Sequence, residues 1–241
     1  MTRMQRFTIA AGVAAALLLL LSGPGTRLGA WTFRSGFTML RWGAYLGIAV
    51  AVAALLQLAL ARSGAARSWP LLAALGLGVL AAGVPWYWQR RARQVPPIHD
   101  ISTDTSDPPA FVAILPLRSA APNPAEYEGS DVAAAQHQAY PEIRPLVLPV
   151  PAGTAYGRAV DAARRAGWEI VAADSAAGRI EATATTGWFG FKDDIVVRVQ
   201  PAEGGSRVDV RSVSRVGKSD VGTNARRIRA YVQRLEPGAS Q

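Results

Sequence analysis

The sequence predicts a three-helix transmembrane segment followed by an α+β domain, in which an antiparallel sheet of about four strands carries two helices packed on one face. Three observations lead there. The first ninety residues contain three long, uncharged apolar runs, and every acidic residue lies at or after Asp100. The last ninety residues alternate apolar and polar with period two between two stretches of helical period.

The charge asymmetry sets the class. Ten arginines precede Asp100 with no acidic residue among them, a net +10, whereas residues 100–241 carry sixteen basic and seventeen acidic groups, a net −1. The basic excess therefore belongs to the apolar front half, where arginines flank the runs as they do at membrane interfaces. Nucleic acid is not expected as a partner. With no cysteine, the back half must hold by core packing alone, and either side of a membrane is compatible with that.

The first run, Phe7 to Gly23, is read as ending at Gly23-Pro24-Gly25, a helix-stop sequence. The second, Trp42 to Ala61, has Gln57 as its one strongly polar side chain, and the third, Pro70 to Trp88, closes on Trp86-Tyr87-Trp88 followed by Arg90, Arg91 and Arg93. At 17, 20 and 19 residues, the runs approach the roughly 20 needed to cross the hydrocarbon core as helices. The aromatics fit the headgroup belt, and Arg41 is placed to snorkel from the start of the second helix. An uncleaved first helix is preferred over a signal peptide, because Leu28-Gly29-Ala30 puts a large residue where a small one is needed. Three crossings put the amino terminus and the Arg62/Arg67 loop on one side, with Arg27, Arg34, Arg41, Arg90, Arg91 and Arg93 on the other beside the soluble domain. The count leans weakly toward a cytoplasmic domain.

Residues 1–93 are thus the membrane domain and 94–150 a Pro-rich acidic connecting segment. From Pro96 to Pro151 the chain holds 11 of its 16 prolines, which restrict regular structure to short pieces. Phe111 to Leu115 is a candidate strand, Val147-Leu148 part of another, and Asp131 to Tyr140 a candidate short helix. Residues 100–150 carry a net −5 and residues 151–235 a net +5. The expectation is that the acidic segment lies along the basic domain as ordered coil.

Residues 151–236 form the α+β domain. Thr154 reads as an N-cap, Tyr156, Ala159, Val160 and Ala163 follow at helical spacing, and Gly167 stops the helix. Strands follow at 168–173, 179–186, 191–200 and 207–216, joined by short turns that imply an antiparallel meander. Ser219 or Asp220 caps a last helix with an apolar stripe of Val221, Ala225, Ile228, Val232 and Leu235, ended by Pro237-Gly238. One sheet face presents Ile180, Ile195, Val197, Val208 and Val210 to the helices. The other presents Arg179, Glu181, Thr183, Asp194, Arg198, Asp209, Arg211 and Arg215, and is read as a solvated lattice of weak ion pairs.

Gly178-Arg179-Ile180-Glu181-Ala182-Thr183, Trp188-Phe189-Gly190-Phe191-Lys192-Asp193-Asp194 and the run Asp209 to Asp220, with Gly222, Asn224 and Ile228 after it, resemble the family catalogued as domain of unknown function 1499. So does the opening Ile98-His99-Asp100-Ile101-Ser102-Thr103-Asp104 with Pro108-Pro109. The resemblance covers about residues 96–235, and the chain is similar to Gram-negative forms with a membrane-spanning front half. It implies a domain boundary and no activity. Shorter relatives look exported, which implies a multi-pass protein of the bacterial inner membrane with a periplasmic soluble domain.

Residues 151–241 contain no His and no Cys, which removes a His-based triad, a thiol nucleophile and a His/Cys zinc site from that domain. His99, Asp100, Asp104 and Asp107 are read as solvated coil and not as a metal site, so no metal or other cofactor is expected. Trp188 and Phe189, between two strands, are candidates for a ligand or membrane contact. Asp193 and Asp194 are neighbours on a strand and point to opposite faces, so they are not read as an acid/base pair. Asp194, Arg198 and Arg211 are read as a structural ion pair instead. Arg215, Lys218, Ser219 and Asn224 gather at the start of the last helix as a candidate anion site.

The function expected is a non-enzymatic binding or assembly module of the cell envelope. Its partners would be the lipid bilayer together with an anionic ligand or an envelope protein. The alternative is an envelope hydrolase using carboxylates, or Ser214 or Ser219 with Lys218.

Overall fold

The computed structural model describes residues 1–60 and 69–236; Ala61 at the end of the second predicted span, the Arg62/Arg67 loop and the Pro237-Gly238 stop lie outside them. The chain divides into two units, one of residues 1–91 with 187–190, the other of residues 92–186 and from 191 onward.

The first unit holds α1 (Arg3–Arg27), α2 (Phe33–Leu60) and α3 (Trp69–Ala92), each long and apolar enough to cross a membrane. A capping box opens α1, with Thr2 and Gln5 exchanging side-chain and backbone hydrogen bonds. The predicted stop at Gly23-Pro24-Gly25 does not terminate the helix, which runs through Pro24 to Arg27. Proline removes only its own N–H, and its carbonyl still accepts the Leu28 amide at 2.9 Å. The two glycines serve close packing instead: a Cβ at Gly25 would meet the Trp31 indole, and one at Gly23 the Trp188 indole.

Antiparallel contacts fix the register of α1 on α2. Gly36 lies against Ser22 and Thr26, Gly43 against Ala15 and Leu18, and buried Gln57 donates to Thr8 Oγ1 at 2.6 Å. At the α2–α3 crossing Gly47 and Gly78 face each other so closely that a Cβ on either would sit 2.6 Å from the other's carbonyl oxygen. Helices in lipid gain nothing from burying apolar surface on one another, so close backbone approach at small residues supplies the association. Gly47→Leu is accordingly expected to destabilise the bundle by about 1–3 kcal/mol through overpacking. The readout is a lower thermal midpoint in detergent, with Gly76→Leu, whose Cβ position is open, leaving it unchanged.

The second unit is built on a six-stranded antiparallel sheet. Its strands are β1 (Asp100–Ser102), β2 (Leu146–Leu148), β3 (Glu169–Asp174), β4 (Arg179–Thr185), β5 (Lys192–Ala202) and β6 (Gly205–Ser214). The order is β1-β6-β5-β4-β3, and β2 also pairs with β6. The meander is as expected from the short turns. The two additional strands come from residues 94–150, which also supply α4 (Ser130–Ala139). β1 and β2 pair with successive stretches of β6, at 211–213 and 206–208.

On one face lie α5 (Ala152–Arg165) and α6 (Thr223–Leu235). The start of α5 corrects the Thr154 cap: Pro151 occupies the N-cap with φ −56°, ending the extended stretch where its ring already fits a helix start. Gly167, at φ +71°, ends α5 as predicted; its N–H and that of Trp168 reach the Arg164 and Ala163 carbonyls at 2.9 and 3.2 Å. The core between sheet and helices includes Ile101, Leu148, Ile180, Ile195, Val197 and Ile228. Trp168 stacks on Tyr231 at 4.6 Å, and the buried Tyr231 hydroxyl donates to the Ala159 carbonyl at 2.8 Å.

The other face is where the reading from sequence changes. It is covered, not solvated. Phe111 and Ile114 pack on Val196 and Val213 of the sheet in a second small core, with Ala125 and Val171 at its margin. Phe111 to Leu115 is not a strand; the chain there leads into a 3-10 turn, Leu115–Arg118. This segment has no strand partner. Its amides are satisfied by a side chain from beneath.

Candidate functional site

That side chain is Glu181. Strand alternation on β4 directs it to the covered face, where it is completely buried. Its two carboxylate oxygens accept the amides of Val112, Ala113 and Ile114 at 2.9–3.1 Å, and Arg179 Nε at 3.1 Å. Three successive N–H groups turned onto one carboxylate form an anion nest, filled here by the protein itself.

Three further buried carboxylates sit in the same layer. Asp194 on β5 accepts Arg118 at 2.7 Å, Arg215 at 2.8 Å through both oxygens, and Thr183 Oγ1 at 2.7 Å. Burial alone would raise this carboxyl; the hydrogen bonds from Arg215, Thr183 and Arg118 outweigh it and hold the group below the usual carboxylate range. Asp209 on β6 accepts Arg198 and Arg207 at 3.0–3.1 Å, while Asp104 from the covering segment bridges the same two arginines. At the β1 edge Asp100 takes Arg211 in a bidentate pair at 2.7–3.2 Å, with Arg211 also lying over the Phe111 and Tyr127 rings. Burial raises the Asp100 carboxyl, opposed by its bonds to Arg211.

The opposite face holds a second polar cluster at the foot of α6. Asp193 points there, away from Asp194, and accepts Arg227 at 2.6 Å. Asn224, fully buried, donates to the His99 carbonyl and Ser214 Oγ and accepts from Ser212 Oγ, at 2.7–3.0 Å. The cap expected at Ser219 or Asp220 falls instead at Gly222, with φ +72°; Asp220, two residues before it, accepts the Gly222 and Asn224 amides at 2.6–2.7 Å. Beyond this cluster a cleft of about 300 Å³ opens beside Trp168, Ala184, Thr185, Arg227, Ala230 and Arg234. Arg227 is committed to Asp193, whereas exposed Arg234 donates to the Ala230 carbonyl and, among the described residues, is in no salt bridge.

The residues singled out from sequence fall as follows. Asp194, Arg198 and Arg211 are all in ion pairs, but not with one another; Arg118, Asp104, Asp107 and Asp100 from the covering segment intervene. Arg215, Lys218, Ser219 and Asn224 do not converge. Arg215 is on the covered face with Asp194, Asn224 is on the helix face, Ser219 Oγ accepts the Val221 amide, and Lys218 is exposed. Ser214 is buried on the helix face with Asn224, so it forms no dyad with Lys218. Trp188 and Phe189 belong to the first unit. There Trp188 fills the space over Gly23, Phe189 lies 5.0 Å from the Phe37 ring, and Arg27 donates to the Gly187 carbonyl at 2.6 Å.

His99 and its neighbours are ordered, not solvated coil: His99 is buried with Glu128 at 3.5 Å, and Asp104 and Asp107 hold Arg198. Among the described residues no group of three or more His, Cys, Asp or Glu is placed to hold a metal ion. Arg118, Asp100 and Asp104 were missed as members of the charged layer. The signal for them was present in Val196 and Val213, apolar residues on an otherwise charged face, and in the opposite net charges of the two segments.

A family model described as "Protein of unknown function (DUF1499)" matches residues 100–235. No curated protein and no solved structure matches the chain.

Proposed function

Starting from the chain's membership of the DUF1499 family, we propose that it is a membrane-anchored, non-enzymatic binding or assembly module of the bacterial cell envelope. It would be multi-pass in the inner membrane, with its soluble unit in the periplasm. The observation that carries this reading is the saturation of the buried carboxylates. General acid or base work needs a lone pair or proton aimed at an open cavity. Glu181, Asp194 and Asp209 instead spend their oxygens on amides and guanidiniums beneath a covering segment. The cleft beside Trp168 is the contrasting feature: it is open and mainly polar, with the exposed Arg234 guanidinium in its wall beside Trp168 and Ala230. That combination suits an anionic group on a small ligand, or an acidic side chain of an envelope partner.

Three measurements test the reading. Full-length protein in neutral detergent is titrated with small dianions and acidic peptides, and a rise in thermal midpoint that disappears in Arg234→Ala is expected. An unchanged midpoint at millimolar ligand removes the cleft from consideration. Hydrolysis of an ester, phosphate or glycan panel, abolished by Asp194→Asn or Lys218→Ala, would favour the hydrolase instead. Reporter fusions after residue 100 read the compartment directly, and a cytoplasmic signal overturns the periplasmic placement.

A further inference from the structure

Among the described residues, no arginine of the first unit is in a salt bridge. No acidic residue occurs before Asp100 or within 187–190, and among the described residues the guanidiniums in salt bridges all come from Arg118 onward. The exposed Arg90 and Arg91 rest instead on aromatic faces of their own helix, over Trp86 at 5.6 Å and Tyr87 at 5.8 Å.

The helix register brings a third arginine to the same depth. A Cβ at Gly47 would approach the Ala82 amide at 3.1 Å, which levels those two residues across the α2–α3 crossing. Arg41 and Trp88 each lie six residues beyond it, a rise of about 9 Å, with Arg90 and Arg91 about one half-turn further. Exposed Trp42, Tyr45, Trp86, Tyr87 and Trp88 occupy the same layer. Several cations and several amphipathic rings therefore share one band of the bundle surface, and no acidic residue of the first unit lies in that band.

We propose that Arg41, Arg90 and Arg91 form a binding site for the phosphate headgroup of an anionic phospholipid, the aromatic rings seating its glycerol and upper acyl region. An unpaired guanidinium at the headgroup layer recruits anionic lipid as its counter-ion, and each engaged arginine favours it about fivefold over a zwitterionic lipid. The inference rests on the three helices lying in a bilayer, the anchor half of the function proposed above.

The test is tryptophan quenching of the full-length protein reconstituted in phosphatidylcholine vesicles containing equal fractions of brominated phosphatidylcholine or brominated phosphatidylglycerol. The expected result is a preference of at least about fivefold for brominated phosphatidylglycerol, lost in the triple variant Arg41→Gln/Arg90→Gln/Arg91→Gln and retained when the same three are Lys. Equal quenching by both lipids overturns the site, as does a preference that survives in the glutamine variant. Loss of the preference on adding millimolar glycerol phosphate assigns the arginines to a free anion and also overturns it. If neither brominated lipid quenches, the bilayer anchor itself is wrong, an outcome distinct from failure of the headgroup site alone.

Discussion

Asp194→Ala is expected to lower the stability of the second unit by about 3–5 kcal/mol, the range for removing one partner of a buried charge pair. The loss is large because two guanidiniums, Arg118 and Arg215, converge on this carboxylate; both would be left desolvated without a counter-charge, and Thr183 Oγ1 would lose its acceptor. Asp194→Asn keeps the shape and one carbonyl oxygen and should cost less. Chemical unfolding followed by circular dichroism measures both, and a loss under about 1 kcal/mol for alanine would mean that the cluster relaxes into water.

The same residue sets a pH window. Its carboxyl is held low in the folded protein, so its contribution is complete above the ordinary carboxylate value of about 3.9 and is lost as pH falls through the folded value. Wild-type stability should drop steeply below about pH 4, with a shallower drop in Asp194→Ala. Asp100 and Asp220, raised by burial, act with the opposite sign: their ionisation costs stability at higher pH and is relieved on acidification. They therefore do not imitate the Asp194 signature.

How much of this layer was readable from sequence depends on which interaction placed each part. The sheet and its two helices follow from periodicity, because Ile180, Ile195, Val197 and Val208 repeat every second residue and a slip of one would expose them all. The position of Asp193 opposite Asp194 follows from the same alternation. The cover does not. Residues 103–127 reach the sheet through side chain to backbone bonds from Glu181 and through Arg118 and Asp104, which no local period records. A charged face looks solvated when only its own strands are considered. It is buried because a segment of opposite net charge, remote in sequence, folds over it. The Gly23-Pro24-Gly25 reading failed for a related reason: the glycines answer to Trp31 and Trp188, neighbours that a helix-stop rule cannot see.

Glu181→Ala should release that cover. Val112, Ala113 and Ile114 would lose the acceptor of their amides together, and each buried unsatisfied amide costs about 1–3 kcal/mol. The segment has no other ladder to fall back on, so local opening is the cheaper response. Hydrogen exchange of residues 110–118 is expected to accelerate at least about tenfold, corresponding to about 1.4 kcal/mol, while β5 and β6 stay protected. Glu181→Gln should rescue it only in part, since one carbonyl oxygen still accepts while its NH₂ group would face the remaining donors. Uniform acceleration across the sheet, or none at 110–118, would show that the nest does not hold the cover.

Because Arg118 ends the turn that Ile114 begins, releasing one anchor should weaken the other. The double variant Glu181→Ala/Asp194→Ala should therefore lose less stability than the sum of the two single losses, by at least about 0.5 kcal/mol. Additive losses would mean that the nest and the arginine cluster act on the cover independently.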